Sequence, residues 1–290
     1  MAAPASQPPK RASALTLRIL SAAVLIPIVV VAVYLGHPIW DLLVILFGGV
    51  MIWEWCRIAE RSRLAGGSRW TIVTPAVALG VVVLGAYAFR SDLPQLLLPL
   101  SSHAFLFAAT IAVTVGALPL FRLSALWFGL GMVYVLVPCL AIIALRADPA
   151  VGLQQILWIV ALVIAADTGA YIAGRSIGGP KLAPRVSPNK TWAGLGGAVV
   201  SAALVGAITA LILGRPSLVP LAAVSAGLAV VEQAGDLAES AFKRRFGVKD
   251  ASNIIPGHGG ALDRVDGLVA VAAAVAGLNA WIGSSVLTWL

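Results

Sequence analysis

Residues Ser240–Asp266 read S-A-F-K-R-R-F-G-V-K-D-A-S-N-I-I-P-G-H-G-G-A-L-D-R-V-D, and they separate two mostly apolar runs, 217–240 and 267–289. An apolar run of about 20 residues is the length that crosses a bilayer as a helix. The quoted stretch therefore reads as a polar hairpin between two membrane spans. Its 27 positions hold five of the twenty Lys and Arg residues and three of the twelve carboxylates. The rest of the chain is mostly hydrocarbon: 60% of its 290 residues are hydrophobic, 11% are charged, and the mean hydropathy is +0.97. Soluble domains carry roughly 25% charged residues, so a soluble fold is excluded. The net charge of +8 is read as basic loops retained on the cytoplasmic side of a membrane, with no nucleic-acid partner.

Working outward, seven more apolar segments follow the same rule: 16–36, 39–57, 71–89, 97–120, 125–145, 153–173 and 194–214. The expected fold is an all-α integral membrane bundle of about nine transmembrane helices with a cytoplasmic N-terminus. Residues 1–14 are polar, Pro-rich and basic and are expected to form a disordered cytoplasmic tail. Residues 15–150 are expected to be scaffold helices, with a dimer contact among them, and 151–290 the catalytic part. The first apolar run lacks a clear small-residue cleavage site and reads as an uncleaved helix.

The distribution of basic residues tests this topology. With the N-terminus inside, seventeen of the twenty Lys and Arg residues fall on the cytoplasmic side, and only Arg90, Arg146 and Arg215 fall outside. The two long basic loops, 174–193 and 242–266, land on the same side and can build one site. Trp40, Trp70, Trp127, Trp192, Trp281 and Trp289 lie near helix ends and read as an interfacial belt. Cys56 and Cys139 sit singly in apolar segments and read as packing residues. His37 and His103 have no obvious partner in sequence and read as structural.

Ionisable groups inside a bilayer are costly and are candidates for function. Glu232, Asp236 and Glu239 or Ser240 recur along one face of the eighth helix, with Lys243 a turn further on. Their acidity exceeds what nearby cations neutralise, and a divalent ion would restore balance. Mg2+ suits one or two carboxylates completed by water and substrate phosphates. Asp167 ends the sixth helix just before a basic loop, as a site residue, a helix cap or an ion-pair partner of Arg175. Glu54, in W-E-W, reads equally as a site residue or an interfacial anchor. In loop 174–193, Lys181 and Lys190 can neutralise phosphates, while Ser187, Asn189 and Thr191 add donors. In loop 242–266, Lys243, Arg244, Lys249 and Arg264 can grip phosphate oxygens, and Gly257-His258-Gly259-Gly260 can wrap close to a ligand. Asp263 enters the last helix and could face Asp236. Two carboxylates and a cage of cations suit phosphoryl or nucleotidyl transfer.

The run Ser240-x-Phe242-Lys243-Arg244, Lys249-Asp250-x-Ser252, Ile255-Pro256-x-His258-Gly259-Gly260-x-x-Asp263-Arg264-x-Asp266 resembles the signature of the phosphatidate cytidylyltransferase (CDP-diacylglycerol synthase) family. Asp167-Thr168-Gly169-Ala170-Tyr171, Gly174-Arg175, Lys181-Leu182, Pro184 and Ser187-Pro188-x-Lys190-Thr191 resemble its second block, with Ala193 where the family often has Glu. The resemblance implies that CTP and phosphatidic acid give CDP-diacylglycerol and pyrophosphate. It also implies Mg2+ as cofactor, a second, monovalent cation such as K+, a homodimer, and a bacterial inner membrane location with the site facing the cytoplasm. The catalytic set is then Asp236, Asp263, Lys249, His258 and Arg264. Lys243, Arg244, Asp167, Lys181, Ser187, Lys190, Gly259 and Gly260 would bind substrate, and Asp236, Asp263 and Glu232 the metal. The rivals are a polyprenol kinase, an archaeal-type lipid cytidylyltransferase and an ion-coupled transporter. The complete signature argues against the first two, and acids gathered beside two basic loops argue against the third.

Overall fold

The computed structural model describes residues 14–60 and 125–289. In chain order the elements are α1 (Ala14–Leu35), α2 (Ile39–Glu60), α3 (Ala125–Arg146), α4 (Gly152–Ser176), β1 (Lys181–Ala183), β2 (Ser187–Thr191), α5 (Trp192–Ile212), α6 (Val219–Arg245), α7 (Leu262–Ile282) and α8 (Val286–Trp289). Every apolar segment read from the sequence within the described residues is a helix. The segments 71–89 and 97–120 lie outside them. Helices α2 to α7 are long and apolar enough to cross a membrane, whereas the apolar part of α1, Ile19–Leu35, is shorter. The chain is polytopic, with these six candidate spans among the described residues.

Two boundaries differ from the sequence reading. Helix α6 runs on to Arg245, so Lys243 and Arg244 belong to its last turn. Helix α7 begins at Leu262, so Asp263 and Asp266 lie in its first two turns; Gly283, at φ 77°, ends it by closing onto the Asn279 carbonyl. The all-α expectation misses one small element. β1 and β2 pair antiparallel, with Lys181 opposite Thr191 and Ala183 opposite Ser187. Thr191 leaves this hairpin extended and caps α5, its hydroxyl accepting from the Gly194 N–H at 3.0 Å, which satisfies one of the donors a helix start leaves open.

Small residues set the spacing of the C-terminal helices. Gly194, Ala198, Ala202, Gly206 and Ala210 form the buried stripe of α5. A Cβ on Gly197 would collide with the Gly169 carbonyl and lie 2.5 Å from the Ala173 methyl on α4. On α6, a Cβ on Gly235 would lie 2.5 Å from the Ala270 methyl of α7. Backbones can approach this closely only where side chains are absent, a common packing mode between membrane helices. Helices α2 and α3 pack instead through large side chains, including Met51, Ile52, Phe128, Met132 and Leu136. Cys56 and Cys139 are buried there, as packing residues. Trp40 is buried in the same core and does not join a surface belt, whereas Trp192 and Trp281 are exposed. His37 has a partner one turn away: its Nδ1 lies 2.7 Å from the Asp41 carboxylate.

Candidate active site

The last turn of α6, the loop 246–261 and the first turn of α7 form one tied unit. Lys243 Nζ lies 2.6 Å from Glu239 on its own helix and 2.6 Å from Asp263 on α7. Asp263 also accepts the backbone N–H groups of Ala251 and Gly260, both at 2.9 Å. A carboxylate at a helix start that collects backbone N–H groups is favourably placed. Arg244 donates to the Val248 carbonyl at 3.0 Å, and Arg264 Nε donates to the His258 carbonyl at 2.7 Å. Gly259 lies at φ +92°, where a side chain would be strained, and Ile255 bridges to it.

A second anchor comes from far away in sequence. Glu54 on α2 is fully buried. Its carboxylate accepts from the Ser252 hydroxyl at 2.5 Å, the Ala261 N–H at 2.9 Å and the Leu262 N–H at 2.8 Å. It therefore caps α7 and pins the loop onto α2. The neighbouring Trp55 stacks on Phe242 with ring centroids 3.6 Å apart. Glu54 is buried in the bundle and is no interfacial anchor; it organises the hairpin. Gly260 fits beneath it because a Cβ there would lie 2.6 Å from Glu54 Oε1.

The carboxylates of α4, α6 and α7 gather beside this unit. Asp236 forms an ion pair with Lys190 of β2 at 2.6 Å and accepts from the Ser240 hydroxyl at 3.2 Å. Glu232, buried one turn deeper, accepts from Gln233 at 2.8 Å, and Asp167 lines the same cavity as Lys190 and Gln233. Asp266, on the first turns of α7, accepts the Gly267 N–H at 2.9 Å. The structure thus brings Asp167, Glu232, Asp236 and Lys190 together, from one basic loop and two spans. Asp236 and Asp263 are taken up by different lysines. Among the described residues, no three His, Cys, Asp or Glu side chains converge closely enough to hold a metal unaided.

Two cavities take up only some of the candidates. One of about 450 Å³ is lined by Asp167, Tyr171, Arg175, Asn189, Lys190 and Gln233, among others. The other, about 380 Å³, lies between Arg57 of α2 and the loop carrying Lys249. Lys181 and Ser187 lie on opposite strands of the β-hairpin, Lys181 exposed opposite Thr191 and Ser187 half-buried opposite Ala183. His258 is held by Ser21 of α1, Oγ to Nδ1 2.7 Å. Ser21 Oγ also donates to the Leu17 carbonyl at 2.9 Å, which ties His258 to α1. The Asp167–Arg175 pair weighed from sequence does not form. Arg175 donates to the Tyr171 hydroxyl at 3.0 Å instead. Ser21 is a neighbour of the candidate site that sequence reasoning missed, and Glu54, weighed there as a site residue or an interfacial anchor, ties the loop to α2. Only the buried acid within W-E-W gave any signal.

A bundle of apolar spans with its acids, lysines and glycine-rich loop at one end defines a membrane-embedded protein with one polar chemical face. Residues 16–280 match the cytidylyltransferase family, and the chain belongs to it. It is 37% identical over 266 residues to a phosphatidate cytidylyltransferase of Brucella suis, covering 90% of this chain and 92% of that protein. A phosphatidate cytidylyltransferase of Haemophilus influenzae is 34% identical, with 87% and 94% covered, and that of Pseudomonas aeruginosa is 34% identical, with 87% and 92% covered.

Proposed function

We propose that this protein transfers the cytidylyl group of CTP to phosphatidic acid, giving CDP-diacylglycerol and pyrophosphate. The observation that carries the reading is the folded signature hairpin, latched by Lys243–Asp263 and Glu54 and set against the Asp167–Glu232–Asp236–Lys190 cluster. Both substrates are anionic, one is a lipid and the other is water-soluble. A site at the end of a bundle, facing the cytoplasm, meets both.

A lipid phosphate oxygen attacks the α-phosphorus of CTP in line. A new P–O bond forms, the bond to the β-phosphate oxygen breaks, and pyrophosphate leaves with that electron pair. The attacking phosphate is already ionised near neutral pH, so positioning and charge neutralisation supply most of the catalysis. Lys249 and Arg264 are exposed on the hairpin and meet phosphate oxygens. Lys190 bridges the substrate phosphates to Asp236. Lys243 is committed to two carboxylates and keeps the hairpin in shape. His258 hydrogen-bonds at the reacting groups.

The donor set fits Mg2+. This hard ion takes oxygen ligands and completes its shell with water and substrate phosphates. The acids around Asp236 outnumber the nearby cations, and one or two of them suffice. Asp236 and Glu232 from α6 would hold it, while Asp263, expected from the sequence to join them, is committed to Lys243 and two backbone N–H groups. When bound it neutralises the phosphate oxygens and polarises the phosphorus. A monovalent cation would occupy what acidic surplus remains, and a homodimer in a bacterial plasma membrane completes the proposal.

The test is purified protein with labelled CTP, given phosphatidic acid, a dolichol-like alcohol or an unsaturated ether lipid, with and without Mg2+. Label should enter the phosphatidic acid product only, and only with Mg2+. Label in the alcohol or the ether lipid instead would overturn the assignment, as would ion flux in proteoliposomes without any CTP turnover.

A further inference from the structure

We propose that Ser21 of α1 is a positioning residue for His258, and that the inner half of α1 thereby belongs to the reaction site. The inference rests on the reading above, in which His258 meets the reacting groups.

The loop around His258 fixes its backbone and leaves its ring. The His258 N–H donates to the Ile255 carbonyl at 3.0 Å, and the His258 carbonyl accepts from Arg264 Nε at 2.7 Å. Gly257 at φ +77° and Gly259 at φ +92° stand on either side. Their left-handed backbone makes the turn, and neither has a side chain to pack against the imidazole. The other ties of the hairpin act elsewhere: Lys243 holds Asp263, and Glu54 holds Ser252, Ala261 and Leu262. Among the described residues the only hydrogen bond to the ring is the one shared with Ser21 Oγ, 2.7 Å from Nδ1. A His side chain turns about two torsions, each with more than one well. This one contact selects the orientation.

The pattern of α1 brings Ser21 to that place. Along its inner half Ser21, Leu25 and Val29 recur every four residues and are half-buried. Ile19, Leu20, Val24, Ile26 and Ile28 are exposed. Such spacing gives the helix one narrow stripe toward the bundle, and Ser21 is the polar position on it. Its hydroxyl donates to the Leu17 carbonyl at 2.9 Å. This bond back to the preceding turn sets the direction of Oγ. The outer end of α1 is fastened separately. Ala32 and Val33 are buried, and Arg146 of α3 donates to the Val33 and Tyr34 carbonyls at 2.7 and 3.1 Å. From Val33 to Ser21 is about 18 Å along the helix. With the far end anchored, the Ser21–His258 bond ties the inner end of α1 to the hairpin and the ring to α1.

The test is a double-mutant cycle in turnover of CTP and phosphatidic acid. Ser21→Ala should lower kcat about fivefold to tenfold, the scale of one hydrogen bond. Both KM values should stay within about twofold, because the ring acts on the reacting groups and not on ground-state binding. Ser21→Thr keeps the hydroxyl and should recover most of the loss. In a His258→Ala background, Ser21→Ala should change kcat by less than about twofold, since the two side chains work as one unit. An unchanged kcat in Ser21→Ala overturns the proposal. So does an equal loss with and without the His258 ring, which makes Ser21 a packing residue, and so does a loss that Thr fails to restore. A second measurement is independent of turnover. Diethyl pyrocarbonate modifies accessible imidazole nitrogens, and peptide mass spectrometry reads each histidine separately. His258 should react about fivefold faster in Ser21→Ala than in the wild type, on the same hydrogen-bond scale. His37, held by Asp41 at the other end of the bundle, should react at one rate in both. Equal rates at His258 sink the inference. Faster reaction at both histidines also sinks it, because Ser21 then holds the fold and not the ring. If the wild-type protein makes no CDP-lipid, the parent reading fails, and the modification rates still decide whether α1 holds the ring.

Discussion

Glu54 is a buried acid whose partners among the described residues are three hydrogen-bond donors and no cation. Two of those donors are the N–H groups of Ala261 and Leu262 at the start of α7, the third is the Ser252 hydroxyl, and all point at carboxylate oxygens. Glu54→Gln replaces one of those oxygens with an NH2 group, so a donor meets a donor and a buried N–H loses its acceptor. A loss of about 1–3 kcal/mol follows, with turnover falling because the hairpin is no longer pinned. Thermal unfolding in detergent checks it, and a mutant that melts with the wild type would show that α2 does not hold the loop. Asp236→Asn acts differently. It leaves the fold alone but removes the partner of Lys190. Turnover should drop at least about a hundredfold, the scale of losing one placed electrostatic group, while gel filtration and membrane insertion stay normal. Near-wild-type kcat would remove Asp236 from the site. The sequence exposed Asp236 because an acid in an apolar span stands out. Glu54 carries the same signal but its role was hidden, since its partners lie 198, 207 and 208 residues along the chain. Ser21 was invisible for the same reason, 237 residues from His258.

Among the elements, the spans were legible because the bilayer imposes a length and a composition on each. Their ends were not. Lys243 and Arg244 look like loop residues by charge, yet they complete α6, because helix ends are set by backbone partners and capping and polarity does not fix them. The β1–β2 hairpin hid in a run of Gly, Pro and Lys that reads as an open loop. Helix spacing was equally hidden, since a glycine facing a neighbour and one facing lipid look alike in sequence. Gly196 and Gly197 make that contrast testable. A Cβ on Gly197 collides with α4, whereas one on Gly196 meets nothing within 4 Å. Gly197→Val should cost about 1–3 kcal/mol by overpacking and impair turnover, because α5 carries Lys190 at its entrance and α4 carries Asp167. Gly196→Val should melt and turn over like the wild type. Equal behaviour of the two variants would mean that α4 and α5 do not pack through this seam.

The whole molecule has two unlike ends. The α1–α2 and α3–α4 turns share one, where His37, Asp41, Arg146 and Asp148 line a common cavity. The β-hairpin, the 246–261 loop and Glu54 share the other, with Lys190 and Lys243 each tied to carboxylates. This division matches the sequence argument from basic residues, which places Arg146 outside and both long loops inside. It could be read early because charge asymmetry depends on the order of the spans and not on their detailed packing. Cysteine labelling tests the orientation directly. The native Cys56 and Cys139 are 2% and 3% exposed, so the background is low. Ala150→Cys, in the exposed α3–α4 turn, should react with a membrane-impermeant maleimide in intact cells. Arg185→Cys, in the exposed turn of the β-hairpin, should react only after permeabilisation. The reverse pattern would turn the acid cluster away from cytosolic CTP, and the proposed reaction could not then draw on that pool. Labelling of both sites in intact cells would mean that the two turns lie on the same side, which an odd number of spans between them cannot produce.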